Sequence, residues 1–218
     1  MASHRTRFPA RWRDYYNDLM LAPAWLNLQR WRLQIRLLGL RHSPVLVNLG
    51  CGKDYRPRFL NVDINIAYRR DLWLDLRLPL PFRDGSIDGI FCSHVLEHFA
   101  LDQTSALVRE CYRVLRPEGV LRVGVPDVEP AVQAYLRGEL GYLRGEGRSR
   151  GRRFSDHVLD NSNHRLIFDY SFLEELLSDA GFRAVHRCRF GEGSGPISQR
   201  LAELDNREEI TVFAEAIR

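Results

Sequence analysis

From residue 44 onward, short apolar runs alternate with longer stretches whose apolar positions recur every three or four residues. Val45 to Leu49 is an apolar run broken only by Asn48, and it enters a turn carrying Gly50 and Gly52. Further strands are expected at Phe59 to Ile64, Leu72 to Leu76, Ile87 to Ser93, Val120 to Val125, Arg183 to Phe190 and Glu209 to Ile217. Between them, Asp102 is placed to cap a helix reaching Leu115, with Leu107, Cys111, Val114 and Leu115 on its inner face. A short helix follows around Pro130 to Leu136. Another is expected from Ser171, whose capping box is completed by Glu174, to Ala180-Gly181. Strands alternating with helices predict an α/β fold with a mostly parallel, doubly wound sheet and its ligand at the carboxyl ends of the strands.

Three segments stand apart. Residues 1–23 are polar, aromatic and irregular, but from Ala24 to Leu38 the residues Trp25, Leu28, Trp31, Ile35 and Leu38 form one stripe, with Arg30, Arg32 and Arg36 mostly off it. This basic amphipathic helix of the 1–43 extension can pack on its own domain, join a second subunit or lie on a membrane surface. Residues 127–170 form a long polar insertion, with a Gly/Arg-rich stretch from Gly138 to Arg153 and then Asp156, His157, Asn161, Asn163, His164 and Arg165. Such an insertion reads as a lid or binding loop. Gly191 to Arg207, glycine-rich at first, reads as a mobile linker.

Composition narrows the class. Of 218 residues, 44% are apolar and 28% charged, as in a soluble globular protein. No apolar run nears the roughly 18 residues of a membrane span, and no signal-peptide pattern opens the chain. The four cysteines are widely separated without metal-ligand spacing, which suits a reducing cytosol and a cytoplasmic location. The formal charge of +4 is local: residues 1–43 and 137–153 carry the arginine surplus, and the remainder is acidic. Lys53 is the sole lysine. We read the arginine bias as base composition, so nucleic acid is not an expected partner.

The candidate chemistry begins at Gly50 and Gly52. Acidic residues stand at the ends of the next two strands, Asp63 and Asp75, where a carboxylate can accept both hydroxyls of a ribose. A dinucleotide would need a third glycine and a helix N-terminus for its pyrophosphate. Here Pro57 follows five residues after Gly52, and Phe59 already begins the next strand. That leaves barely one helical turn. A nucleoside cofactor without phosphate is favoured.

Several motifs together then resemble a known family. They are Asn48-Leu49-Gly50-Cys51-Gly52, Asn61-Val62-Asp63-Ile64, Asp75-Leu76 with Leu80-Pro81-Phe82, Ser86-Ile87-Asp88, Ser93-His94-Val95-Leu96-Glu97-His98, and Glu110 through Gly119. The series resembles class I S-adenosylmethionine-dependent methyltransferases of the type 11 group over residues 44–218. Within that group it is similar to small methyltransferases met in glycan and cell-surface polysaccharide gene sets. The resemblance implies a Rossmann-like fold with a seven-stranded sheet whose last strand is antiparallel. It implies S-adenosylmethionine as cofactor and S-adenosylhomocysteine as product. It places Asn48, Gly50, Cys51 and Gly52 at the methionine moiety, Asp63 and Ile64 at the ribose, Asp75 and Leu76 at the adenine, and Ser93 and His94 facing the sulfonium. Asn48 stands where many members carry an acid, and the helix after the glycine turn is almost absent. The helix from Ala24 to Leu38 is proposed to cover the sheet face left bare.

The expected activity is O-methylation of a sugar or glycan-like small molecule, by a monomer or homodimer. Transfer to a hydroxyl needs its proton removed, and His94, His157 and His164 are the candidate bases. His94, Glu97 and His98 at i, i+3 and i+4 could share a face suited to a metal. A histidine in place of the first acid disfavours magnesium, and no metal is expected. Lipid, secondary-metabolite or RNA acceptors, or a cofactor-binding scaffold without turnover, are the alternatives.

Overall fold

In a computed structural model, the structure describes residues 44–145 and 147–218 together with Leu19, Pro23 and Leu26. The expected helix from Ala24 to Leu38, and with it the 1–43 extension, lies outside the described residues apart from those isolated positions.

The strands are β1 (Leu46–Leu49), β2 (Leu60–Asp63), β3 (Leu72–Trp73), β4 (Ile87–Ser93), β5 (Leu115–Pro126), β6 (Ala184–Cys188) and β7 (Thr211–Ile217). They form one seven-stranded sheet in the order β3-β2-β1-β4-β5-β7-β6. Strands β1 to β5 pair in parallel, and β7 runs antiparallel to both of its neighbours. The expected mostly parallel sheet with an antiparallel last strand is therefore present. Strand order reverses between β1 and β4, the place where such a sheet opens a crevice at the carboxyl ends of its strands.

One face carries the main core. It joins Val47, Ile90, Cys92, Leu121 and Val123 of the sheet to helix α1 (Leu101–Val114) through Leu107, Val108, Cys111 and Val114. The α1 N-cap is Ala100, whose amide donates to Gln103 Oε1 at 3.2 Å, and Asp102 lies in the first turn rather than at the cap. There its charge complements the helix dipole. Helices α2 (Val128–Arg137) and α3 (Arg150–Val158) occupy the insertion, packed through Ala131, Ala134, Leu143 and Val158. Helix α3 arises inside the Gly/Arg-rich stretch because Ser149 caps it, accepting from Arg152 N at 3.2 Å. Helix α4 (Tyr170–Asp179) is capped by Asp169, which accepts from Phe172 N at 2.8 Å. Ser171, the expected cap, instead donates its hydroxyl to Asp169 Oδ1 at 2.8 Å. Aspartate won because it sits two residues earlier and its ionised oxygen is the stronger acceptor.

The opposite face differs most from expectation. No helix lies between β1 and β2, as the early Pro57 predicted. The stretch read as a mobile linker instead folds into α5 (Pro196–Ala202), with Pro196 in its first turn. Leu201 and Ile197 of α5, with Leu204 just beyond it, pack on Leu46, Phe91 and Val120. Gly89 in β4 permits the close approach, since a Cβ there would lie 2.9 Å from both Ile197 Cγ2 and Leu46 Cδ2. Helix α5 thus covers this part of the face, and the cover expected from residues 24–38 lies outside the described residues.

Candidate active site

The glycine turn is built by the neighbouring strand. Gly50 N and Cys51 N both donate to Val62 O, at 2.8 and 3.1 Å. This bends the chain over the end of β2 with Gly50 at φ +64°. A Cβ at Gly50 would stand 2.3 Å from Val95 Cγ2, so only glycine fits. Gly52 N donates to Asp63 Oδ2 at 2.7 Å, and Asn65 N donates to Asp63 Oδ1 at 2.6 Å. Asp63 thereby ties the loops after β1 and β2 together, and each of its oxygens keeps acceptor capacity.

Asn48 has a structural share in the same region. Its Nδ2 donates to Asp54 O at 3.1 Å and to Asn61 Oδ1 at 3.2 Å. Asn61 Nδ2 in turn donates to Arg56 O, Phe59 O and Asp71 Oδ2, and its Oδ1 accepts from Arg56 N. Two buried amides thus hold residues 54–59 in place of the missing helix.

At the reversal of strand order lies an open pocket of about 260 Å³, part of it continuous with solvent. Asn48, Gly50, Cys51 and Ser93, all expected at the cofactor, line it. The Ser93 hydroxyl is buried there with no hydrogen-bond partner. Burial, reinforced by Asp63 and Asp71, pushes the Cys51 thiol up to about 12, so it stays protonated. The pocket also takes Asp54 and Arg56 from the loop after β1, Phe91 from β4, and Leu204 and Asn206 from beyond α5. Asp54 and Arg56 were missed in the sequence because the motif was read only as far as Gly52, and Phe91, Leu204 and Asn206 because no local pattern ties them to the turn.

The 204–206 wall is anchored by Arg122 of β5, whose side chain is fully buried. Its guanidinium donates to Asp205 Oδ1 and Oδ2 at 2.8 and 2.5 Å, Glu215 Oε1 at 2.7 Å, Glu192 O at 3.0 Å and Arg189 O at 3.0 Å. Asp205 also accepts from Gly191 N at 2.9 Å. Every donor of the fork is used.

Gly52, Asp63, Ile64, Asp75, Leu76 and His94, also expected at the cofactor, stand outside the pocket lining. The Asp75 carboxylate is closed by Arg77, whose Nε and NH2 donate to it at 2.7–3.1 Å. Leu76 is buried in the main core, and the Ile64 carbonyl accepts from Trp73 Nε1 at 2.7 Å.

The histidines gather beside the end of β4. His94 takes a left-handed backbone at φ +54°. Thr211 Oγ1 donates to Arg207 O at 2.8 Å and therefore accepts from His94 Nε2, 2.9 Å away. The other nitrogen, Nδ1, lies 3.2 Å from Glu97 Oε1. Glu97 sits on a one-turn 3-10 helix (Leu96–His98) and is 1% exposed. Burial alone would raise its pKa, but the contact with His94 and the nearby His98 hold it below the ordinary carboxylate value. His164 also faces Glu97 and His98, its ring centroid 5.2 Å from that of His98. Burial lowers its pKa below 6.5, partly opposed by Glu97. His157 lies apart on α3, where Nδ1 accepts from Arg144 N at 3.0 Å and the ring lies against Tyr142. Its pKa is lowered by burial and then by Arg144.

Sheet order, glycine turn and crevice define the class I methyltransferase fold. Solved structures agree on the fold. A methyltransferase of Archaeoglobus fulgidus described as SAM dependent superposes with TM-score 0.52 at 15% identity, over 88% of this chain and 94% of that one. An S-adenosylmethionine dependent methyltransferase of Mesorhizobium loti does so with TM-score 0.50 at 20% identity, over 80% and 90%. The methyltransferase domain family of type 11 matches residues 74–123. A protein of Mycolicibacterium smegmatis named a probable S-adenosylmethionine-dependent methyltransferase is 31% identical over 175 residues, covering 79% of this chain and 51% of that protein. The chain thus spans about half the length of that relative. Fold and family match together imply S-adenosylmethionine as the cofactor.

Proposed function

We propose that the protein is an S-adenosylmethionine-dependent methyltransferase, and that its acceptor is a hydroxyl of a sugar or glycan-like small molecule. One observation carries the first part. The Gly50 turn and the buried, unpartnered Ser93 hydroxyl line one pocket at the reversal of strand order, where a nucleoside cofactor is expected, and Gly52 of the same turn donates to the Asp63 carboxylate. The residues fit the cofactor. Asp54 and Arg56 offer opposite charges for its ammonium and carboxylate, and Asp54 restores the acid that Asn48 lacks. Asp63 is the ribose acceptor, and the Gly50 turn leaves room beside the methionine moiety. The cofactor supplies a methyl group made electrophilic by a sulfonium.

The chain's own part is alignment, exclusion of water and proton handling. His94 is engaged at both nitrogens, by Glu97 and by Thr211. We assign it the role of positioning the end of β4. The polar insertion, with His157, Asn161, Asn163 and His164, supports a hydroxyl-rich acceptor. Calorimetry with S-adenosylmethionine and S-adenosylhomocysteine tests the cofactor, and Asp63→Ala should weaken both. Absence of binding to either would refute the reading. A panel of sugars and glycans, followed by release of S-adenosylhomocysteine, tests the acceptor.

A further inference from the structure

Glu97, His98 and His164 meet in a way that the glycine-turn pocket does not use. One oxygen of Glu97 and one ring nitrogen from each histidine lie within 4.8 Å of one another. His98 Nδ1 donates to Asn163 O at 3.0 Å, and His164 Nδ1 donates to Val158 O at 3.0 Å. Each bond fixes the tautomer and leaves Nε2 as a bare lone pair. His98 Nε2 faces Glu97 Oε1 at 4.0 Å. Neither Glu97 oxygen accepts a well-formed hydrogen bond, although the side chain is 1% exposed. His94 Nδ1 touches the same oxygen at 3.2 Å, but with poor alignment. A buried carboxylate with unsatisfied oxygens is costly unless a cation meets it.

Backbone geometry serves the same convergence. Asp160, Asn161 and Ser162 all take left-handed conformations, at φ +41°, +54° and +70°. This turn brings Asn163 and His164 back onto the end of β4, where Arg165 N donates to Glu97 O at 2.7 Å.

The geometry points to a divalent first-row transition-metal site, zinc first, with Glu97, His98 and His164 as its three protein ligands. Two imidazoles and one carboxylate suit zinc, iron or manganese better than magnesium. The backbone carbonyls that hold each Nδ1 are the usual outer partners of metal-bound histidines. Metal bonds of about 2.1 Å hold tetrahedral ligand atoms about 3.4 Å apart. The three atoms therefore close by roughly an ångström on binding, within reach of a turn of the half-exposed His98 ring. Three protein ligands leave an open fourth position, the arrangement of sites that polarise a substrate oxygen. That last role rests on the methyltransferase reading. Metal binding itself does not.

The test uses the full chain, stripped with chelator and titrated with cobalt(II) chloride, followed by visible absorption and displacement by zinc. We expect one cobalt per chain, displaced by zinc, with affinity reduced more than tenfold in His98→Ala and in His164→Gln. Circular dichroism checks that the variants fold. His98 is partly exposed, so its variant keeps the test open if His164→Gln fails to fold. No stoichiometric cobalt binding, or binding undiminished in the folded variants, overturns the site. The titration needs neither cofactor nor acceptor, so its failure would leave the proposed reaction standing.

Discussion

Replacing Arg122 by methionine should be among the most damaging single changes in the described residues. The substitution removes a fully buried guanidinium and strands the carboxylates of Asp205 and Glu215, together with the carbonyls of Arg189 and Glu192. Breaking a buried ion pair from one side costs about 3–5 kcal/mol, because the remaining charge keeps its desolvation penalty. Here two carboxylates are left, although Asp205 retains Gly191 N and Glu215 retains the Ser194 hydroxyl. The upper part of that range is therefore expected. For a domain of this size each kcal/mol moves Tm by about 2–4 °C, so the melting temperature should fall by roughly 10–20 °C. Thermal and urea unfolding followed by circular dichroism measure it. Replacing all three charges, as Arg122→Met with Asp205→Leu and Glu215→Met, should recover most of the loss, because no charge is then buried alone. A loss below about 1 kcal/mol in the single variant, or no recovery in the triple one, would refute the reasoning. The single variant should also bind cofactor more weakly, since Leu204 and Asn206 line the pocket from the segment that Arg122 fixes.

Three further outcomes are expected. Gly50→Ala forces a Cβ against Val95 at a left-handed position, and should lower stability by about 1–3 kcal/mol while weakening cofactor binding in calorimetry. Arg56→Ala should weaken S-adenosylmethionine about tenfold, as loss of one charge-assisted hydrogen bond of about 1.5 kcal/mol would, with Tm unchanged. His157 and His164 have folded-state pKa values depressed below 6.5. Between the folded and unfolded values the unfolded chain binds more protons, so their contribution to stability is present above about 6.5 and is lost as pH falls below it. Melting curves across pH 5 to 8 should show that loss, and His164→Gln should reduce the slope on the acid side.

The strands were legible because their apolar runs are short and bounded by turn residues. Ile87 to Ser93 coincides with β4, and the glycine turn after Leu49 lies where its motif placed it. Strand ends were less legible. The run read as Leu72 to Leu76 pairs only at Leu72 and Trp73, because hydrogen bonding to β2 ends before the apolar run does. Helix α5 went unread because only Ile197 and Leu201 of its seven residues carry large apolar side chains, too few to show a helical period. Its existence depends on the bare patch around Leu46 and Phe91, which is a tertiary fact. The Arg122 cluster had no local signature either, since its partners lie 83 and 93 residues away. The histidines were legible as chemistry but not as a group. Spacing joined His94, Glu97 and His98, whereas His164 reaches them through a left-handed turn that no propensity predicts.

The placement of α5 bears on how the chain comes together. Strands β1 and β4 can pair as soon as residue 93 is made, and α1 can cover their first face soon afterwards. Among the described residues, Leu46, Phe91 and Val120 of the second face find their partners only in Ile197, Leu201 and Leu204. Contacts of such long sequence separation close late and slow folding. Among the described residues, this face therefore gains its cover only when about residue 205 has left the ribosome. Fragments ending before α5 should be chaperone-dependent or aggregate, even though they contain the whole glycine turn.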